Sequence, residues 1–273
     1  MLQWGMARPR DLPWRRTRDP WAVLVSEVML QQTQARRVIP KWERFMAAYP
    51  IASACADASL GDVLRMWQGL GYPRRAKNLH DAAAVIAARG QFPRTLDELL
   101  QLPGVGAYTA RAVMVFAFEA DCAVVDTNIA RVLARVAGSR LTALQVQAAA
   151  DDLVPAGDSW AWNQCLMDLG ATLCRPVNPQ CAACPLAASC VWRRRGGDDP
   201  ALGSAGVSVR QSPFDGSDRQ ARGRLLKVLG NAPLACERVA AVMGCDEPRA
   251  VRLLADLERD GLVVRRERML RLP

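Results

Sequence analysis

The sequence predicts an all-α fold organised on a helix–hairpin–helix, with a small winged-helix module of helices plus a β-hairpin at its C-terminal end. Three observations support this. Apolar residues recur at helical spacing in stretches such as Trp21 to Arg37. The five residues LPGVG, 102 to 106, separate two helical stretches and cannot themselves continue a helix. Three more helical stretches after residue 217 lead into one alternating run, Leu262 to Leu272.

In chain order, Asp11-Leu12-Pro13-Trp14-Arg15 reads as a short extended entry, because Pro13 disfavours helix in the residue before it. Trp14 would plug the edge of the core. The helix from Trp21 to Arg37 carries the stripe Trp21, Leu24, Val25 and Val28, and Glu27 lies inside it. A single Glu is generally a surface residue. Here Val25, Val28, Met29 and Leu30 would desolvate the carboxyl and raise its pKa, as a general acid working near neutrality requires. Gln31, Gln32 and Thr33 end the same helix. From Val38 to Gly90 several short helices are expected, with a break at Trp67-Gln68-Gly69-Leu70-Gly71-Tyr72-Pro73. Two glycines and a proline force a surface turn there that projects Leu70 and Tyr72. Arg74, Arg75 and Lys77 follow as candidate phosphate contacts or as a solvated helix face. His80, the only histidine, is expected to make a structural hydrogen bond.

The hairpin joins helices at Thr95 to Gln101 and Ala107 to Phe118. Gly104 and Gly106 are both expected in backbone conformations closed to other residues. The second helix begins with amide groups and a positive dipole end, a seat for phosphate. Beyond it, VVDTN at 124 to 128 sets an acid after an apolar run and before the helix IARVLARV, so Asp126 is a candidate cap. NQCLMDLG, 163 to 170, is helical. Cys174, Cys181, Cys184 and Cys190 then follow at x6, x2 and x5 spacing, with Pro176, Pro179 and Pro185 bending the chain. Such thiolates can converge on one soft centre, zinc or iron–sulfur, and disulfides are the alternative. A zinc module usually shows two CxxC pairs, and this chain has one. The other five cysteines are scattered in helical, mostly apolar segments, which fits a reducing compartment.

Residues 196–217, rich in Gly, Ser and Pro, read as a linker. Helices at Arg219–Leu229, Leu234–Met243 and Glu247–Asp260 then precede the hairpin, as in a winged helix. That module either binds DNA through its third helix or wing, or serves as a protein-binding or stabilising appendage. Lys and Arg number 36 against 27 Asp and Glu, a net charge of +9, so a polyanion is the natural partner. No run of about 18 apolar residues exists, so no membrane span is expected. The N-terminal residues lack an apolar signal core, which predicts a cytoplasmic protein, nucleoid-associated if bacterial.

LPGVGAYTA followed by VVDTNIARVLAR resembles the helix–hairpin–helix, Gly/Pro-Asp superfamily of DNA base-excision glycosylases, over residues 12 to 192. SEVMLQQTQ is similar to the signature of the branch that acts on adenine mispaired with 8-oxoguanine. The resemblance implies a six-helix helix–hairpin–helix domain at 20–130 and a helical iron–sulfur domain at 1–19 and 131–195. The linker at 196–217 and the winged-helix-like domain at 218–273 would follow, in place of the Nudix-like module of many relatives. It implies that Cys174, Cys181, Cys184 and Cys190 hold a [4Fe–4S] cluster that is structural and helps dock DNA. Trp14 and Arg15 would wall the base pocket, Gln32 would wedge into the duplex, and Thr33 would contact the opposite base. Leu70 and Tyr72 would lie in the minor groove, Gly104 and Gly106 against the DNA backbone, and Gln164 would reach the flipped base. The family often has a second aromatic where Pro73 stands. The resemblance gives Glu27 the role of general acid on the flipped adenine and Asp126 that of stabilising the sugar cation, with Tyr108 and Asn128 orienting Asp126. Strand-cleaving relatives carry a Lys where Tyr108 stands; a phenol cannot form their Schiff base, so a monofunctional enzyme is expected. The implied partner is double-stranded DNA with an A·8-oxoguanine or A·G mismatch, bound by a monomer. Two alternatives stay open: a same-fold glycosylase for another mispaired base such as thymine, and a non-enzymatic iron–sulfur winged-helix regulator.

Overall fold

The computed structural model describes residues 1–207 and 213–273; the part of the expected linker at 208–212 lies outside them. In chain order the helices are α1 (Leu2–Met6), α2 (Pro20–Leu30), α3 (Ala35–Ala48), α4 (Ala52–Ala56), α5 (Leu60–Trp67), α6 (Arg74–Arg89), α7 (Leu96–Leu100) and α8 (Ala107–Phe118). They continue with α9 (Thr127–Ala137), α10 (Ala143–Asp151), α11 (Ser159–Thr172), α12 (Val191–Arg195), α13 (Asp218–Leu229), α14 (Val239–Met243) and α15 (Glu247–Arg259). Three strands, β1 (Leu234–Ala235), β2 (Val264–Arg266) and β3 (Met269–Arg271), form one antiparallel sheet in the order β1-β3-β2. No described helix is long and apolar enough to cross a membrane.

The chain packs as two compact units, each assembled from separate stretches of sequence. The first comprises Met1–Val23, Arg94–Leu100 and Val105–Arg210; the second comprises Leu24–Pro93, Gln101–Gly104 and Gln211–Pro273. In the first unit α11 is the axis, with α1, α8 and α9 packed on it and α12 on α9. Small residues permit these approaches: a Cβ at Gly170 would stand 2.5 Å from the Asn128 Cβ, so α9 and α11 touch backbone to side chain. In the second unit α5 and α4 pack on α6, and Phe45 of α3 meets Trp67 of α5 edge to face.

The C-terminal module belongs to the second unit and has winged-helix topology: α13, β1, α14, α15 and then the β2–β3 hairpin. Its core is Leu225, Leu229, Met243, Leu253, Leu257, Leu262 and Leu270. The expected second helix differs at its start. Leu234–Ala235 pairs with Met269–Leu270 as a strand, and a 3-10 turn (Cys236–Arg238) leads into α14. Within the unit the module is bound to the preceding helices: the Gly61 amide donates to the Pro273 carbonyl at 2.9 Å, and Arg65 Nε donates to the Gly230 carbonyl at 3.0 Å.

Two local expectations are corrected. The helix expected from Trp21 to Arg37 stops at Leu30 and resumes at Ala35, because Gln32 takes a left-handed φ of 54° that no helix tolerates. The entry at 13–16 is a 3-10 turn rather than an extended strand, since Pro13 sits at its first position where a missing amide costs nothing.

Candidate active site

Glu27 belongs to the second unit and Asp126 to the first. Glu27 sits in α2, where every residue from Trp21 to Met29 is buried. It is 5 % exposed, as the apolar setting predicted. Three residues beyond the helix-ending Leu30, Thr33 Oγ1 donates to the Leu70 carbonyl at 3.3 Å, and between them Gln32 is exposed. Both features place Gln32 at the tip of a tight turn.

Leu70 departs from expectation. The turn was expected to project it, but Leu70 is 4 % exposed. Gly69 and Gly71, with φ of 91° and 76°, fold the chain so that Leu70 points inward and Gly71 stands exposed. Tyr72 is half-buried and itself left-handed, with φ of 48°. The turn is held by Arg75, which is not a phosphate contact but a buried guanidinium, 9 % exposed. Its Nη1 donates to the carbonyls of Val28, Met29 and Gln31 at 2.7, 3.1 and 2.7 Å, and its Nη2 to those of Leu70 and Gly71, both at 3.1 Å. The last carbonyls of α2 have no partner within the helix, so Arg75 caps the helix that carries Glu27. Burial pushes its pKa down to about 10, which leaves it charged at neutral pH. Lys77 is paired with Asp81, Arg74 stands 3.6 Å from Asp260, and His80 bonds the Ala58 carbonyl as expected.

At the hairpin, Gly104 has φ of 74°, and a Cβ there would stand 2.5 Å from that of Asn78 on α6. Only glycine fits. Gly106 differs from expectation: its φ of −97° and ψ of 179° are extended backbone open to any residue, and a Cβ would meet nothing within 4 Å. It caps α8 without a side chain, and Tyr108 is the second residue of that helix, half-buried.

Asp126 is the N-cap of α9. Its Oδ1 accepts the amides of Asn128 at 2.9 Å and Ile129 at 2.7 Å, and its Oδ2 accepts Asn128 Nδ2 at 2.8 Å. Asn128 Oδ1 in turn accepts Arg131 Nη2, which also donates to the Gly170 carbonyl, while Arg131 Nε donates to the Cys174 carbonyl. Sequence reasoning brought Asp126 and Asn128 together and missed Arg131. Burial pushes the Asp126 carboxyl above the ordinary carboxylate value, although the hydrogen bonds from Ile129 and Asn128 and the charge of Arg131 oppose it.

Trp14 is buried in the 3-10 turn, and Gln164 is buried on α11. Arg15 is committed to a buried ion pair, with its two Nη atoms at 2.8 and 2.7 Å from Asp168, which Arg10 also contacts. Burial would raise Asp168, but the hydrogen bonds and charges of Arg15 and Arg10 hold it below the ordinary value. None of the nine cysteines is joined in a disulfide. Cys174, Cys181, Cys184 and Cys190 line one partly open pocket together with Val132, Leu169 and Trp192. Arg135 Nη1 donates to Cys174 Sγ at 3.3 Å, its Nη2 pairs with Asp199 at 2.6 Å, and its guanidinium lies over Trp192. Among the described residues no three His, Cys, Asp or Glu side chains are gathered closely enough to hold a single metal ion. Thiolates bound to the corners of a four-iron cube stand further apart than the ligands of one ion, so four sulfurs ringing a hollow fit a cluster better than zinc.

A hairpin whose turn requires glycine, followed by a helix and an acid that caps the next one, is the arrangement expected of a DNA-repair glycosylase of the helix–hairpin–helix kind. Residues 25–156 match the HhH-GPD superfamily of base excision DNA repair proteins. The chain belongs to that superfamily and, within it, to the adenine DNA glycosylases. It is 43% identical to the adenine DNA glycosylase of Mycolicibacterium smegmatis over 96% of this chain and 91% of that protein. It is 40% identical to the human adenine DNA glycosylase over 76% of this chain and 41% of that protein. Among solved structures it resembles a thermostable thymine-DNA glycosylase (32% identity, TM-score 0.68, 71% of this chain and 93% of that one). It also resembles endonuclease III in a non-covalent DNA complex (25% identity, TM-score 0.63, 71% and 92%). The protein is an enzyme of N-glycosyl bond hydrolysis, which sets aside the non-enzymatic regulator.

Proposed function

We propose that the protein excises adenine from duplex DNA where it is mispaired with 8-oxoguanine or guanine. The observation that carries this reading is Glu27: a carboxyl buried among the buried residues Trp21 to Met29 is costly to fold, and such groups concentrate at sites of chemistry. Glu27 protonates the flipped base as it leaves, and a carboxyl in an apolar setting is suited to hold that proton near neutrality. Asp126, once ionised, stabilises the positive charge that develops on the sugar. Asn128 fixes the direction of that carboxylate by donating to Oδ2, and Tyr108 lies close by in the reacting geometry. With Tyr rather than Lys at position 108 no Schiff base forms, and the strand stays uncut.

Gln32 is the wedge in this scheme, and its exposed left-handed turn supports that role. Thr33 contacts the opposite base, Tyr72 faces it from the minor groove, and the buried Leu70 shapes the turn from within. Gly104, Gly106 and the start of α8 take a phosphate. Trp14 and Gln164 wall the base pocket, and Arg15 supports Trp14 through Asp168. Cys174, Cys181, Cys184 and Cys190 hold a [4Fe–4S] cluster, which when bound ties the loop together. Arg193 to Arg195, exposed beside it, meet the DNA backbone.

The test uses duplexes with adenine opposite 8-oxoguanine, adenine opposite guanine, and thymine opposite guanine, each treated with alkali to cut at abasic sites. Release is expected from the first two. Release confined to the thymine duplex would overturn the assignment in favour of a same-fold thymine enzyme. Glu27→Gln and Asp126→Asn are each expected to abolish excision and keep duplex binding; near wild-type single-turnover rates in either would remove that residue from the mechanism. Borohydride should trap no covalent adduct.

A further inference from the structure

We propose that Arg219, on α13 of the C-terminal module, is a positioning residue for the base-reading turn and acts through the hydroxyl of Tyr72. The inference rests on the functional reading above, in which Tyr72 faces the opposite base. Arg219 Nη1 donates to the Tyr72 Oη at 3.1 Å across 147 residues of sequence. Tyr72 is the residue of the turn most in need of support. It is not glycine, yet its φ is 48°, and such backbone persists only where the surroundings over-determine it. One guanidinium, from Arg75, lies 5.5 Å from the Tyr72 ring centre, and the second, from Arg219, takes the hydroxyl end. The ring is therefore fixed at its face by α6 and at its tip by α13.

The module is held in place for this task. The Gly61 amide bonds the Pro273 carbonyl, a Cβ at Gly61 would stand 2.5 Å from that same oxygen, and Arg65 bonds the Gly230 carbonyl. Arg74, next but one to Tyr72, stands 3.6 Å from Asp260 at the end of α15. Three separate attachments to α5 and α6 fix where α13 presents its arginine. The winged-helix-like tail thus contributes to opposite-base recognition from behind the reading turn, without itself touching the base.

The experiment is a double-mutant cycle on the full chain with Arg219→Ala, Tyr72→Phe and both together. Arg219→Lys serves as the conservative rescue and Lys227→Ala as the loss of an exposed charge from the same helix. Dissociation constants are measured for duplexes with adenine opposite 8-oxoguanine and opposite guanine at several salt concentrations, alongside the ratio of single-turnover excision rates and the thermal midpoint. Arg219→Ala is expected to weaken 8-oxoguanine duplex binding roughly tenfold, the scale of one hydrogen bond from a charged donor, and to narrow the preference over guanine. Nothing further is expected in the Tyr72→Phe background, because the hydroxyl is already gone. Arg219→Lys should recover part of the loss, and Lys227→Ala should change neither quantity. The salt slope should stay constant, whereas a phosphate contact would lower it by about one. Equal losses in both backgrounds, a lowered salt slope, or no loss at all would each overturn the proposal. Should the wild-type release adenine from neither duplex, the functional reading fails, and the binding cycle still decides the coupling.

Discussion

Arg75 offers the sharpest test of how the second unit is held together, through the substitution Arg75→Met. Two effects oppose each other. Removing the guanidinium relieves the cost of burying a charge that has no acid beside it, and replacing a whole buried ionic arrangement by apolar residues is often neutral. Here, however, the acceptors are backbone carbonyls and remain after the substitution. Nη1 and Nη2 carry four N–H groups, which serve the carbonyls of Val28, Met29, Gln31, Leu70 and Gly71 and the Thr33 hydroxyl. At about 1 kcal/mol for each hydrogen bond lost and left unreplaced, the loss is roughly 3–5 kcal/mol, a large share of the stability of an ordinary domain. Arg75→Lys keeps the charge but offers three donors from one point, so about half of that loss should remain. Urea unfolding of the purified full chain, followed by tryptophan fluorescence, reads the difference as a shift in midpoint. Hydrogen exchange at the end of α2 should rise in parallel. If Arg75→Met unfolds within about 1 kcal/mol of wild type, water replaces the guanidinium without penalty and the clamp is not what holds the turn.

Other expectations follow from the same contacts. Gly104→Ala should cost roughly 2 kcal/mol or more, since it combines a left-handed φ with a Cβ 2.5 Å from Asn78, whereas Gly106→Ala should be tolerated in the fold; equal midpoints for the two would refute the distinction. Asp126 is raised by burial, so its protonated form favours the folded state, and that stability is lost as pH rises through the folded value; Asp126→Asn, which cannot ionise, should remove this fall from a profile of thermal midpoint against pH, and an unchanged profile would refute it. Asp168 is held below the ordinary value by Arg15 and Arg10, so its contribution is present at neutral pH and lost as pH falls through the folded value; Arg15→Met should cost about 3 kcal/mol at pH 7 and flatten the acid limb of a stability–pH profile. Cys174→Ser should lower both bound iron per chain and the visible absorption of the purified protein, and unchanged iron would exclude Cys174 as a ligand.

What was legible in the sequence was local. The burial of Glu27 follows from helical periodicity, and Asp126 as a cap follows from its place before IARVLARV, because both depend on residues within a turn or two. The turn at Leu70 was misjudged for the opposite reason. Its glycines marked a turn, but whether Leu70 points out or in depends on Arg75, Arg37 and Thr33 taking the carbonyls of residues 69 to 71, contacts that periodicity does not report. Gly106 was misjudged because two glycines in one motif were given one reason. Gly104 is required by Asn78, a neighbour 26 residues away that no local rule reveals. Arg131 left a signal that went unused: Arg131 and Arg135 recur at a four-residue interval on an otherwise apolar helix, which puts two charges on one face toward something that needs them.

The same arginines change how the charge excess should be weighed. Only Lys41, Lys77 and Lys227 are lysine, so 33 of the 36 basic residues are arginine. A lysine offers a compact, strongly hydrated charge, whereas a guanidinium offers five donors in a fixed plane and can serve two backbone segments at once. Arg75 joins the end of α2 to the reading turn, Arg131 joins Asn128 to the Gly170 and Cys174 carbonyls, and Arg135 joins α9 to the cysteine loop and Asp199. Arg15 does the same between the entry turn and Asp168. These positive charges are structural donors that no phosphate can reach. The affinity for DNA must therefore come from the exposed remainder, and a basic composition alone overstates it. Neutralising Arg193, Arg194 and Arg195 together should weaken duplex binding and flatten its salt dependence, while loss of the buried four should be felt first in unfolding.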